Sequence, residues 1–108
     1  MAFFDMTTIP ARTLIQGISM KAVHGEQLTL MTVDLDAGAV LPTHHHPHEQ
    51  MGIVLEGELT FTIGDETKIC RAGDTYLIPS DVTHGVTVSA ASPAKVIDVF
   101  SPPREDYK

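Results

Sequence analysis

The sequence has a single cysteine, no tryptophan and half as many basic as acidic residues, 7 against 14. Cys70 has no partner for an internal disulfide, and a cytoplasmic location is therefore expected. Because there is no cluster of Lys or Arg, we expect neither nucleic acid nor an anionic membrane surface as a partner. The longest apolar runs, such as "IVL" and "YLI", are far shorter than the roughly 20 residues that cross a bilayer.

A helical stripe of ten or more residues is also missing, and short alternations of apolar and polar residues take its place. Leu59, Phe61 and Ile63 alternate with polar residues, for example, and Gly or Pro interrupts the chain every eight to twelve residues. Period-two alternation ended by turn residues predicts an all-β sandwich or barrel. With 108 residues and no linker, the chain is expected to form a single domain, residues 1–108.

Glycine turns divide the segment 51–79. Gly57, Gly64 and Gly73 each follow a short alternating stretch, and glycine supplies the positive φ that tight turns need. The pattern predicts four consecutive strands arranged as a meander.

Histidines are concentrated in the stretch PTHHHPHEQMG, residues 42–52. His44 and His46 are two positions apart, so on an extended strand their imidazoles project from one face and that of His45 from the other. Two imidazoles hold a metal poorly, and a third ligand has to come from elsewhere. His84, at the start of a later strand that could pair with the first, is the candidate.

The neighbouring polar residues leave alternatives open. His48 is equally compatible with a supporting contact to a ligand and with a solvated side chain, and His24, beside a Gly–Glu turn, is expected at the surface. An oxygen ligand would come from Glu49 or Gln50, which project from opposite faces of a strand. Periodicity favours Glu49, because it shares the parity of the apolar stripe that begins at Met51.

The C-terminal segment IDVFSPPRED contains a second group of polar residues. Asp98 and Phe100 alternate along the last strand and therefore share a face. Either that face lines a barrel, with Arg104 folding back over its mouth, or an exposed Asp98 pairs with Arg104 as a clasp for the tail. Spacing alone slightly favours the clasp.

Two glycine-led motifs resemble those of the cupin family. The first is Gly38, His44, His46, Gln50 and Gly57, and the second is Gly73, Pro79 and His84, each at the family's spacing except that Asp81 stands where Gly is usual. The resemblance implies a small jelly-roll barrel (double-stranded β-helix). It also implies that Gln50 rather than Glu49 occupies the ligand position, and we adopt that assignment. Four neutral ligands would leave the full charge on a divalent metal.

The combination of HPHEQ with DVFSPPRED is similar to the pectin-degradation cupins of the KdgF type. That resemblance implies a metal-dependent enzyme that opens 4,5-unsaturated monouronates from pectin or alginate to linear keto sugars. It implies metal ligation by His44, His46, Gln50 and His84, with a divalent ion such as zinc, nickel, manganese or iron. It further implies that Asp98, Phe100 and Arg104 act on the carbohydrate acid: Asp98 as acid or base, Phe100 against the sugar ring, and Arg104 through a bidentate contact to the carboxylate.

Two other functions are compatible with the same motifs. One is a cupin dioxygenase of the quercetinase type, which the neutral Gln50 disfavours. The other is a non-catalytic module that binds a small ligand. In each case the edges and apolar strand faces of so small a barrel predict a homodimer.

Overall fold

The computed structural model describes residues 2–108, and within them it contains ten strands, two short 3₁₀ turns and no α-helix. The strands are β1 (Arg12–Ile15), β2 (Ile18–His24), β3 (Thr29–Leu35), β4 (Val40–His44), β5 (Glu49–Glu56), β6 (Glu58–Ile63), β7 (Glu66–Arg71), β8 (Thr75–Ile78), β9 (His84–Val88) and β10 (Ala94–Ser101). The 3₁₀ turns are Met6–Thr8 and Glu105–Tyr107. No helix among these residues is long and apolar enough to cross a membrane.

The strands form two antiparallel sheets. The larger has the order β1-β2-β3-β10-β5-β8, and the smaller has the order β4-β9-β6-β7. Neighbours in space are mostly distant in sequence, as in the pairing of β10 with both β3 and β5. The expected all-β jelly-roll barrel is confirmed.

The core lies between the sheets and follows from period-two alternation. In β10, Ala94, Val96, Asp98 and Phe100 are buried, while the residues between them are more exposed. Cys70 is buried in the same core. Successive strand residues point to opposite sides of a sheet, so the side chains of only one face of a strand line the interior.

The four strands expected between residues 51 and 79 are present, but their arrangement as a meander is wrong. Only β6 and β7 pair with each other, whereas β5 and β8 pair in the other sheet. The turns at Gly57 and Gly73 therefore carry the chain from one sheet to the other. Gly57 has φ +87°, and a Cβ there would come within 2.5 Å of the carbonyl oxygen of Pro93. Only glycine fits this turn.

Candidate metal centre

Three histidines converge at one end of the barrel interior. His44 is the last residue of β4 and His84 the first of β9, and the two are direct partners across these strands. His46 lies in the loop after β4, not on the extended strand that its spacing suggested. One ligand nitrogen from each ring lies within 4.8 Å of the other two, and this three-histidine cluster could hold a metal ion.

Backbone carbonyls fix how these rings are oriented. The Nδ1 atoms of His44, His46 and His84 lie 2.9, 3.0 and 2.8 Å from the carbonyl oxygens of Pro42, His48 and Val82. A carbonyl only accepts, so each Nδ1 carries the proton and donates it. In the neutral ring this leaves a lone pair on Nε2, which is the form that binds a metal.

Burial favours the neutral form of two of these rings, those of His84 and His46. It lowers the pKa of His84 to about 4, with the other two histidines adding to the effect. Burial also lowers the pKa of His46, and the positive charge of Arg104 acts in the same direction. At neutral pH His46 and His84 therefore present nitrogen lone pairs rather than cations.

Gln50 faces this cluster and Glu49 does not. Gln50 is buried and its Oε1 lies 3.1 Å from Nε2 of His46, whereas Glu49 is exposed on the outer face of β5. Because Nε2 of neutral His46 is unprotonated, two acceptor atoms approach each other here, and a cation between them would relieve their repulsion. The donor set of three imidazoles and one amide oxygen thus fits a divalent metal.

The remaining histidines differ in environment. His45 points outward, as expected, with its side chain 67% exposed. His48 is half-buried, its carbonyl fixes His46, and its Nδ1 is buried without a hydrogen-bond partner among residues 2–108. The expectation for His24 was wrong, because its ring is half-buried between Thr29 Oγ1, at 2.8 Å, and the carbonyl of Tyr107, at 3.3 Å.

Asp98 is a buried acid beside the cluster. Its side chain accepts a hydrogen bond of 2.6 Å from the hydroxyl of Tyr76. Burial raises its pKa to about 6, although hydrogen bonds from Tyr76 and Gln50 oppose that rise. Gly52, on the neighbouring strand, makes room for the pair, since a Cβ at this position would collide with both Asp98 and Tyr76.

Phe100 and Arg104 complete this end of the barrel. Phe100 is almost fully buried, and its ring centroid lies 5.7 Å from that of His46. The guanidinium carbon of Arg104 lies 4.8 Å from the centre of the Phe100 ring. An exposed clasp between Asp98 and Arg104 is thereby ruled out: Asp98 is buried and bonded to Tyr76, and Arg104 pairs with Asp106.

The pairing of Arg104 with Asp106 was not foreseen. Nε and Nη2 of Arg104 donate to the two carboxylate oxygens of Asp106 at 3.1 and 2.9 Å, and Nη2 also donates to the Tyr107 hydroxyl at 3.1 Å. The Nε and Nη2 edge of Arg104, one of the two edges of a guanidinium that can make a bidentate contact to a substrate carboxylate, is therefore already occupied in this structure.

One cavity of about 400 Å³ is bordered by all the site residues predicted from the sequence, namely His44, His46, Gln50, His84, Asp98, Phe100 and Arg104. Among the other residues that border it, Arg12, Tyr76, Asp106 and Tyr107 carry polar groups and were not predicted as site residues from the sequence. Tyr76 could have been found from the sequence. It lies two positions before Ile78 in the strand that ends just before Pro79, so the two side chains project from the same, inward face. The others carry no such signal: Arg12 reaches the mouth through a 3.2 Å bond to the carbonyl of Asp106, 94 positions away.

Comparisons with known proteins agree with this fold. A family model for the cupin domain matches residues 31–100. The pectin degradation protein KdgF of Dickeya dadantii is 34% identical over 107 residues, covering 97% of this chain and 96% of that protein. The solved structure of KdgF from a Halomonas species is similar with a TM-score of 0.90 and 30% identity, covering 99% and 98%. An RmlC-like cupin from Shewanella frigidimarina has a TM-score of 0.91 at 28% identity, covering 100% and 96%.

Proposed function

The chain belongs to the cupin family, and on that premise we propose that it is a metal-dependent enzyme that opens 4,5-unsaturated monouronates to linear keto sugars. These acids are released when pectin or alginate is degraded, and similarity over nearly the whole chain to the pectin degradation protein KdgF supports that substrate class. The observation that carries the proposal is a buried carboxyl group, Asp98, facing the same cavity as the three-histidine cluster.

The metal would be held by His44, His46, His84 and Gln50, whose donor atoms converge as described. When bound, a divalent ion with four neutral ligands supplies positive charge that offsets negative charge developing on substrate oxygens. The sequence expectation of zinc, nickel, manganese or iron agrees with these nitrogen and oxygen donors.

Asp98 would move the protons of the reaction. Its ionised carboxylate removes the proton from the anomeric hydroxyl, the bond between C1 and the ring oxygen breaks, and C1 becomes an aldehyde. The electron pair of the broken bond goes to the ring oxygen, which leaves an enolate across C4 and C5. Delivery of a proton to C4 converts this enolate to a ketone at C5, so the overall change is an isomerisation. With a pKa raised to about 6, Asp98 is a competent base near neutral pH.

Other side chains would position the acid and the substrate. Tyr76 holds Asp98 through its hydroxyl, and Phe100 offers an aromatic face for the sugar ring while excluding water. Arg104 supplies the positive charge for the carboxylate of the uronate.

The homodimer remains a proposal, and an outward apolar stripe supports it. Since Gln50 faces inward, Met51 and its parity partners Ile53 and Leu55 face outward, and they are 59%, 36% and 41% exposed. A second copy of the chain covering this stripe would remove apolar area from water. Size-exclusion chromatography with light scattering distinguishes the dimer from a monomer.

Turnover of an unsaturated monouronate tests the proposed activity. We expect purified, metal-loaded protein to accelerate the loss of ultraviolet absorbance from the conjugated double bond, and a chelator to abolish the acceleration. Asp98→Asn should keep its metal and lose at least about 100-fold in rate, the size of a general acid–base contribution. If the wild type does not exceed the spontaneous rate, or if Asp98→Asn retains full turnover, the proposed mechanism is refuted.

A further inference from the structure

Arg104 has a fixed position, and only part of its hydrogen-bonding capacity is free. Its backbone N–H donates to Thr29 Oγ1 at 2.9 Å, which attaches this residue to the fully buried end of β3. Its guanidinium lies between two rings, 4.8 Å from the centre of Phe100 and 4.3 Å from that of Tyr107. These contacts hold the group at the cavity mouth independently of any salt bridge.

The donor inventory of Arg104 shows what a ligand would meet. A guanidinium has five N–H donors. Two of them serve the carboxylate of Asp106 and one serves the hydroxyl of Tyr107. A ligand that enters the cavity thus finds the Nε and Nη2 edge, which matches a carboxylate, occupied by a carboxylate from the same chain.

Asp106 is well placed to give up this edge. Its side chain is 57% exposed, against 11% for that of Arg104, so the Asp106 carboxylate can turn into water when the carboxylate of a ligand takes over the pairing with the buried guanidinium. The hydrogen bonds from Arg104 lower the pKa of Asp106, which is therefore ionised at neutral pH. Asp106 also borders the cavity, so a carboxylate that binds there and pairs with the Nε and Nη2 edge would have to replace that of Asp106.

We propose that Asp106 is a specificity-determining residue whose carboxylate occupies the edge of Arg104 until the carboxylate of a ligand takes its place. A neutral sugar offers no carboxylate for this exchange, whereas an acidic sugar restores both hydrogen bonds. The inference rests on the proposed function in so far as that function makes an acidic sugar the ligand. Internal competition lowers the apparent affinity for acids. The apparent association constant is the intrinsic one multiplied by the fraction of molecules in which the edge is free.

Binding of a sugar acid that the reaction does not consume tests this exchange. The probe is D-galacturonate, which has no 4,5 double bond, with D-galactose as its neutral counterpart, titrated calorimetrically into metal-loaded full-length protein. We expect Asp106→Asn to tighten galacturonate binding about three- to tenfold, because a bidentate but solvent-exposed pair leaves the edge occupied most of the time. Binding of galactose should not change.

Glu105 provides the matched control. Its carboxylate is exposed and bonds Lys108 instead of Arg104, so Glu105→Gln removes the same charge one residue away. This variant should bind galacturonate as the wild type does. In a protein that already carries Arg104→Gln, adding Asp106→Asn should give no gain in galacturonate affinity. Thermal melts establish that each variant is folded.

Several results would overturn the assignment. They are unchanged or weaker galacturonate binding by Asp106→Asn, an equal gain from Glu105→Gln, a gain that persists without Arg104, and no binding of galacturonate by any variant. Failure of the proposed function is separate, because it would appear as absence of turnover of the unsaturated uronate even where galacturonate binds as expected.

Discussion

Replacing Asp98 by Asn should make the protein more stable while it removes the proposed base. Burial raises the pKa of Asp98 from its ordinary value of 3.8 to about 6. A carboxyl group whose pKa is higher in the folded state stabilises the fold when protonated, and that contribution is lost as the pH rises through the folded-state pKa. Asn has nearly the same shape, does not ionise, and keeps an oxygen that accepts the hydrogen bond from Tyr76.

The size of the effect follows from the difference between the two pKa values. A rise of about 2, at 1.36 kcal/mol for each unit, corresponds to about 3 kcal/mol at pH 7. At pH 4 the carboxyl is protonated in the folded state and only about 40% protonated in the unfolded state, and the same linkage leaves less than about 1 kcal/mol. The free energy of unfolding of Asp98→Asn should therefore exceed that of the wild type by an amount that grows between these two pH values.

Urea denaturation of metal-free protein at pH 4 and pH 7 measures this difference. Asp34→Asn is the control, since Asp34 is exposed, 3.7 Å from Lys95, and its replacement should change stability by no more than about 0.5 kcal/mol. If Asp98→Asn is less stable than the wild type at pH 7, or if its advantage is the same at both pH values, the reasoning from a buried ionised Asp98 is refuted.

Two further substitutions test the metal ligands and the space around Asp98. Gln50→Ala should lower metal affinity about tenfold or more, while Glu49→Ala, on the outer face of the same strand, should leave it unchanged. The amount of metal that each variant retains against a competing chelator distinguishes the two outcomes. Equal losses of metal would contradict the assignment of Gln50 as the ligand. Gly52→Ala should cost about 1–3 kcal/mol of stability and most of the turnover, because the added Cβ collides with Asp98 and Tyr76. Gly25→Ala is the control: its Cβ would meet nothing closer than 3.6 Å, so urea denaturation should show almost no change in stability. If Gly52→Ala is equally neutral, Asp98 and Tyr76 can move aside and the argument from a collision is wrong.

Local patterns in the sequence were sufficient where the deciding physics is local. Period-two alternation predicted strands such as β6 and β10, because side chains on a strand alternate between the two faces of a sheet. The glycine positions predicted the turns, because positive φ is costly for other residues. Motif spacing predicted that Gln50, not Glu49, faces the histidines, even though apolar periodicity pointed the other way.

That failure of periodicity has a physical cause. The apolar stripe at Met51, Ile53 and Leu55 lies on the outer face of β5, which is exposed in the isolated chain. The inner face carries Gln50, Gly52 and Val54, because the site needs an amide at one position and empty space at the next. The hydrophobic pattern of β5 therefore predicted the wrong face as the inner one, because the interior at this point is adapted to bind a ligand rather than to pack apolar side chains.

The sequence by itself determined the strand pattern and the turns, and the cupin motifs indicated which residues face one another in the candidate metal centre. Tertiary structure alone decided which strands pair, since β5 and β6 are consecutive yet lie in different sheets. It also decided the contact between Arg104 and Thr29, because these residues are 75 positions apart and meet only after β3 and the C-terminal tail come together. Local preferences fix the conformation of a segment, whereas contacts between distant segments depend on how the whole chain closes around its core.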